Sequence, residues 1–207
     1  MSASCSSMRK KAAYHHGDLR RALLDAALRL IDEQGLQALS LREVARRAGV
    51  THGAPYHHFA DRASLLATLA EDGFELLVAA MKSEQARSRP AQEERLAAVG
   101  RGYVAFALAH PAYFKVMFRP ELSEGRPLYT GGARAYEVLV ESVTALQRAN
   151  RARAIDRDLL VLSSWSLVHG LASLWLDGPL RNRYSQRKVQ KLTRAMTALF
   201  ARLYSAR

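Results

Sequence analysis

Cysteine is almost missing from this 207-residue chain: there is one, Cys5, in the serine-rich start "MSASCSS". A lone thiol closes no internal disulfide and anchors no zinc site, and a reducing cytoplasm fits its use. It reads as a bystander rather than a redox sensor. Acidic residues are also scarce, 19 Asp and Glu against 31 Lys and Arg, which leaves a formal net charge of +12. So basic a chain points to an acidic partner, nucleic acid or a membrane surface, with a plain solubility charge as the bland alternative. No segment alternates apolar and polar residues with a period of two, so no sheet is expected. A nucleophile elbow, a Gly-rich phosphate cradle and metal-spaced ligands are all missing, and with them the usual supports for catalysis. No charged start leads into an apolar run, so no secretion signal is expected. The longest uncharged run, "LLVLSSWSLVHGLASLWL" at residues 159–176, is shorter than the ~20 residues of a membrane span. Serine, histidine and glycine interrupt it. It reads as the buried central helix of a helical protein, so no membrane partner is expected.

What is present is helical periodicity from end to end, and it predicts an all-α fold of about nine helices. Residues 18–34 place Leu19, Leu23, Ala27, Leu30 and Ile31 on one face before Gly35 stops them. Ser40 and Glu43 have capping-box spacing, Leu39 and Val44 the spacing of a hydrophobic staple, and Gly49 ends that helix. Thr51 stands where it would cap the short helix that follows. Longer helices are expected over 62–87, 92–110, 132–149, 157–177 and 185–204, with a short one in "PAYFKVMF" after Pro111. The organisation predicted is a basic arm (1–15), a DNA-binding head (16–60) and a larger body (61–207).

The stretch "SLREVARRAGVTHGAPYHHF", residues 40–59, has two helices around a glycine turn, the pattern of a helix-turn-helix. The second helix of such a pair enters the major groove by its N-terminal residues. Gly53 and Ala54 are small enough for close approach to a duplex. Thr51 and His52 stand where bases are read, and Tyr56 and His57 suit phosphate oxygens. Arg42, Arg46 and Arg47 lie on the polar side of the preceding helix, Arg62 opens the next one, and Lys10, Lys11 and His15 belong to the arm. Pro55, about one turn in, should tighten that turn. A helical pair with a solvated basic face is the competing reading. Metal is not expected, because His52, His57 and His58 are spaced five and one rather than three or four. No cofactor is expected either.

Residues 23–75, "LLDAALRLIDEQGLQALSLREVARRAGVTHGAPYHHFADRASLLATLAEDGFE", resemble the tetracycline-repressor family of bacterial transcription regulators. The order helix, Gly, Ser-capped helix, Ala-Gly-Val turn, Tyr and Phe three apart, a basic residue and Leu-Leu is specific. The family commonly has lysine where this chain has Arg62. "HPAYFKVMF" with Trp165, His169 and Gly170 is similar to the branch whose C-terminal domain is named for its Trp-His-Gly pattern, over about residues 95–176. The resemblance implies a homodimer joined by its last two helices, a DNA operator and a small-molecule effector, hence a regulator with no catalytic role, most simply a repressor. A helical binding protein or enzyme that never touches DNA is the rival.

In the body, Tyr103, Phe106, Tyr113, Phe114, Met117 and Phe118 offer an aromatic lining, and Trp165 and His169 share a face of the central helix. These are the candidate effector contacts, although any one of them could simply fill the core. Gly170 should let another helix come close. The central helix, apolar all round, and the last helix present Leu171, Trp175, Leu192, Met196, Leu199 and Leu203 as candidate dimer contacts. With no Asp, Glu, Lys or Arg on the predicted inner face of the central helix, the effector is expected to be largely apolar, with one or two hydrogen-bonding groups.

Overall fold

A computed structural model describes residues 16–119, 130–149 and 155–204 of the chain. Among them are eight α-helices and no strand. The helix missing from the expected nine is the second of the helix-turn-helix, which is a single 3-10 turn. The arm residues Lys10, Lys11 and His15, and Cys5, lie outside the described residues.

The chain divides into two compact units, residues 1–62 and 63–207. In the first, α1 (His16–Gln34) buries Leu23, Ala27, Leu30 and Ile31, the stripe its periodicity dictates. It packs against a short 3-10 turn (Leu36–Ala38) and α2 (Leu41–Ala48). Ser40 caps α2, its hydroxyl accepting the Glu43 N–H at 3.2 Å. Only half of the expected capping box forms, because the Glu43 carboxylate turns to the Arg46 guanidinium, with Nε at 2.8 Å. That hydrogen bond holds the Glu43 carboxyl below its ordinary range. Leu39 and Val44 are both buried, as a staple requires. Gly49 takes φ 70° and ψ 29°, a left-handed conformation that costs glycine little. Its N–H and that of Val50 close on the carbonyls of Arg46 and Ala45 at 3.2 and 3.1 Å, which makes a Schellman stop.

The second unit is built around α4 (Gln92–Ala109). Against it pack α5 (Pro111–Met117), α6 (Thr130–Ala149), α7 (Arg157–Leu176) and α8 (Gln186–Leu203). The long α3 (Arg62–Ala86) crosses α4 so closely that a Cβ on Gly102 would stand 2.7 Å from the Ala80 carbonyl oxygen. Two polar contacts tie α3 to α6: Glu71 accepts the Gly131 N–H at 2.9 Å, satisfying an orphan donor of that helix start, and Gln85 donates to the Ser142 hydroxyl at 2.9 Å. Asp156 and Ser185 cap α7 and α8.

The central helix, α7, is not buried all round. Its length and composition would suit a membrane span. One face, with Leu160, Val161, Val168, Leu171 and Trp175, is instead buried in the unit. The other is not: Leu159, Leu162 and Leu174 on α7, with Leu199 and Leu203 on α8, stay 49–64% exposed. Of the six candidate dimer residues, Leu199 and Leu203 are therefore on the surface, whereas Leu171 and Trp175 are buried within the subunit. Met196 packs on the core from the edge and Leu192 is half-buried. Among the described residues no helix closes on Gly170, since a Cβ there would meet nothing within 4 Å. The period of a helix sets which residues share a face; it does not say which face meets the rest of the subunit.

Candidate nucleic-acid interface and effector cavity

The recognition segment is short for a chemical reason. Proline has no N–H, so Pro55 cannot donate to the Thr51 carbonyl four residues back; Ala54 takes that carbonyl instead, at 3.0 Å. The tighter pattern continues with Tyr56 N–H to the Gly53 carbonyl and His58 N–H to the Pro55 carbonyl, giving the 3-10 turn Ala54–His57. Its cap is Gly53, with no side-chain bond, so Thr51 serves through its carbonyl and not as the side-chain cap expected. Pro55 and Phe59 are buried and anchor the turn from inside, with the Arg20 guanidinium 5.7 Å from the Phe59 ring.

The polar residues read as DNA contacts are carried outward on this anchored turn. Thr51, His52, Gly53 and His57 are exposed, Tyr56 is 60% exposed and Ala54 is half-buried. Arg42 on α2 is exposed too. The neighbouring arginines are engaged within the protein: Arg46 with Glu43, and Arg47 with Glu33 at 2.6 Å. Arg62 has a structural task the sequence did not disclose. Its Nε donates to the Leu39 carbonyl at 2.9 Å and its Nη2 to the Leu36 carbonyl at 3.1 Å. The guanidinium clamps the loop ahead of α2, and its planar fork suits two carbonyls better than an ammonium would.

A cavity of about 380 Å³ lies within the second unit. That is at the small end of the range for small-ligand sites. Its walls come from α3 (Phe74, Leu77, Met81), α4 (Leu96, Val99, Gly100, Tyr103), the end of α5 (Met117, Phe118, Arg119), α6 (Ala135, Tyr136, Leu139), α7 (Ser164, Trp165, Val168) and α8 (Thr197, Phe200). Of the candidate effector contacts, Tyr103, Met117 and Trp165 line it, together with Phe118. Phe106, Tyr113, Phe114 and His169 do not: the cavity ends at Tyr103 on α4 and at Val168 on α7. Phe106 stacks instead with His110 at 5.3 Å, Tyr113 meets His110 edge-on at 6.1 Å, and Phe114 packs on His169 at 5.3 Å. The contributions of α3, α6 and α8 were not foreseen. Their apolar stripes look like any core stripe, and the sequence gives no sign that they border a void.

His169 acts on the cavity through Tyr103. The Tyr103 hydroxyl lies 2.7 Å from His169 Nδ1, and Trp165 Nε1–H donates to the same oxygen at 3.4 Å. Burial holds the Tyr103 phenol above its ordinary pKa, opposed by the Trp165 bond. Burial likewise lowers the His169 imidazole, against a smaller pull from Asp177. Both groups are neutral near neutral pH. The indole N–H can only donate, so the phenol oxygen accepts from Trp165 while it shares a second hydrogen bond with Nδ1. Tyr103 is thereby fixed at the floor of the cavity.

Comparison with known proteins agrees with this arrangement. Residues 23–69 match the family described as bacterial regulatory proteins, tetR family, and residues 96–200 match the tetracyclin repressor-like C-terminal domain. The chain is 30% identical to the HTH-type transcriptional regulator BetI of Cronobacter sakazakii, over 78% of this chain and 79% of that one. It is 42% identical to the HTH-type transcriptional regulator AcrR of Shigella flexneri, a match spanning only 31% of this chain and 30% of AcrR. Among solved structures, a protein of unknown function from Rhodococcus sp. RHA1 is 33% identical, covers 93% of this chain and 98% of its own, and superposes with a TM-score of 0.76.

Proposed function

Because the chain belongs to the tetracycline-repressor family of DNA-binding transcription regulators, we propose that it is a cytoplasmic repressor released from a palindromic operator by a small, largely apolar effector. The observation that carries the effector half is the cavity of about 380 Å³, whose walls are aliphatic and aromatic apart from a few polar points. A strongly charged ligand would leave ionised groups unpaired among those walls, at a cost of several kcal/mol. The DNA half rests on the exposed turn at residues 51–57, with Arg42 beside it. In this reading Thr51 and His52 meet base edges, while Tyr56 and His57 meet phosphates and set register. Arg62 supports the loop ahead of α2.

The exposed leucines of α7 and α8 make this an obligate homodimer in our reading. Burying a leucine side chain contributes about 1.5–3 kcal/mol, and five lie on this face of each subunit. Two-fold symmetry then requires two half-sites, hence the near-palindrome. The effector acts through α3, which carries Phe74, Leu77 and Met81 on the cavity wall and begins at the Arg62 clamp. A ligand that favours the arrangement with lower DNA affinity shifts the population by its differential affinity. The test is a gel shift on DNA upstream of the protein's own gene, over a salt series, with and without apolar compounds. Retardation should weaken steeply with salt and be reversed by an apolar compound. Retardation indifferent to salt, or reversed only by highly charged metabolites bound in the body, would refute the reading.

A further inference from the structure

We propose that the effector is an amphipathic monoanion, its apolar part in the cavity and a single acidic head at Arg119; this deepens, and rests on, the apolar-effector reading above. Among the described residues lining the cavity, Arg119 is the one that carries a charge. It follows α5 directly, its N–H bonded to the Val116 carbonyl at 3.2 Å, so its backbone position is fixed by the end of that helix. Arg119 also has an interaction of its own within the protein. A guanidinium has five N–H donors and can hold more than one partner, a carboxylate in paired geometry among them.

The side-chain donors of Ser164, Thr197 and Trp165 in the cavity wall are already committed. Ser164 gives its hydroxyl proton to the Leu160 carbonyl at 2.7 Å, and Thr197 gives its own to the Thr193 carbonyl at 2.8 Å. The Trp165 N–H is directed at Tyr103, whose hydroxyl is itself hydrogen-bonded to His169 at 2.7 Å. What Ser164 and Thr197 have left is acceptor lone pairs. A carboxylate or carbonyl placed among them would find no donor and would lose its hydration without compensation. The side chains toward solvent differ: Arg119 is half-buried, and Tyr136, with a phenol able to donate, is exposed. An acidic head is therefore excluded from the interior by the same inventory that welcomes it at Arg119, and the ligand is oriented with its apolar end inward.

The experiment uses the full chain and three probes of equal chain length: decanoate, decan-1-ol and decyltrimethylammonium, below their aggregation limits at pH 8. Quenching of tryptophan fluorescence reports occupancy, because Trp165 lines the cavity. Decanoate should bind at least tenfold more tightly than decan-1-ol, and the ammonium more weakly than either. Arg119→Gln should bring decanoate down to the level of decan-1-ol and leave decan-1-ol unchanged, which also shows that the variant is folded; Arg119→Lys should keep part of the preference. Equal affinities for acid and alcohol in the unmodified protein, or an Arg119→Gln variant that weakens both alike, overturns the anion site while the apolar cavity stands. If none of the three probes quenches, the apolar-effector reading fails and this inference fails with it.

Discussion

Replacing Tyr103 by phenylalanine removes one oxygen from the body and leaves the ring in place. The structure says what that oxygen does: it is hydrogen-bonded to His169 Nδ1 at 2.7 Å and accepts from Trp165 Nε1 at 3.4 Å. The shorter bond is the larger loss, a net contribution of about 0.5–1.5 kcal/mol. Stranding its partner adds about 1–3 kcal/mol for a fully buried group, and His169 is half-buried, so the lower end applies. The longer bond adds little. The expected cost is about 1.5–2.5 kcal/mol, or roughly 4–8 °C in Tm for a unit of this size. Both tryptophans lie on α7, so fluorescence-detected melting reports this unit alone. Stability should also depend on pH. His169 has a lowered folded pKa, so it binds protons more readily when unfolded; its contribution is complete above the ordinary histidine pKa, about 6.5, and fades as pH falls below that. As far as this group decides it, the unmodified protein should therefore lose stability as pH is lowered through the histidine range, read as a falling Tm. A Tm change under about 1 °C at pH 8 would refute the Trp165–Tyr103–His169 arrangement.

Two further outcomes separate structural from functional roles. Arg62→Met should lower the melting temperature of the protein as well as operator affinity, because it frees the Leu36 and Leu39 carbonyls, whereas His52→Ala should change operator preference with Tm unaltered; an Arg62→Met protein with wild-type Tm and a salt slope reduced by about 0.9 would make Arg62 a phosphate contact instead. Leu162→Asp with Leu199→Asp should give folded monomers that no longer bind the operator, seen by light scattering and gel shift, and a double variant that remains dimeric would place the interface elsewhere.

The features legible in the sequence are those decided within a turn or two of chain. Ser40 three residues before Glu43, Gly49 after an apolar repeat, and Pro55 early in a short segment each act through their own backbone, so caps, stops and the tightened turn were readable from local chemistry. Helix boundaries followed from the apolar period to within two residues, and the order of elements over residues 23–75 was enough to indicate the family. Tertiary structure decided what depends on pairing distant segments. Tyr103 and His169 are 66 residues apart, and nothing near either one announces the other. Helical spacing gives the angle of a side chain about its axis but not the level at which a neighbouring helix meets it, so Phe106 and His169 passed for cavity residues while the void stops short of both. The same limit hid the two-sided character of α7, with Trp175 turned inward and Leu162 outward, since both are apolar and only packing distinguishes them. Arg62 shows the limit for a charge: its position ahead of a helix suggested a phosphate, and the fold brought two carbonyls within reach first.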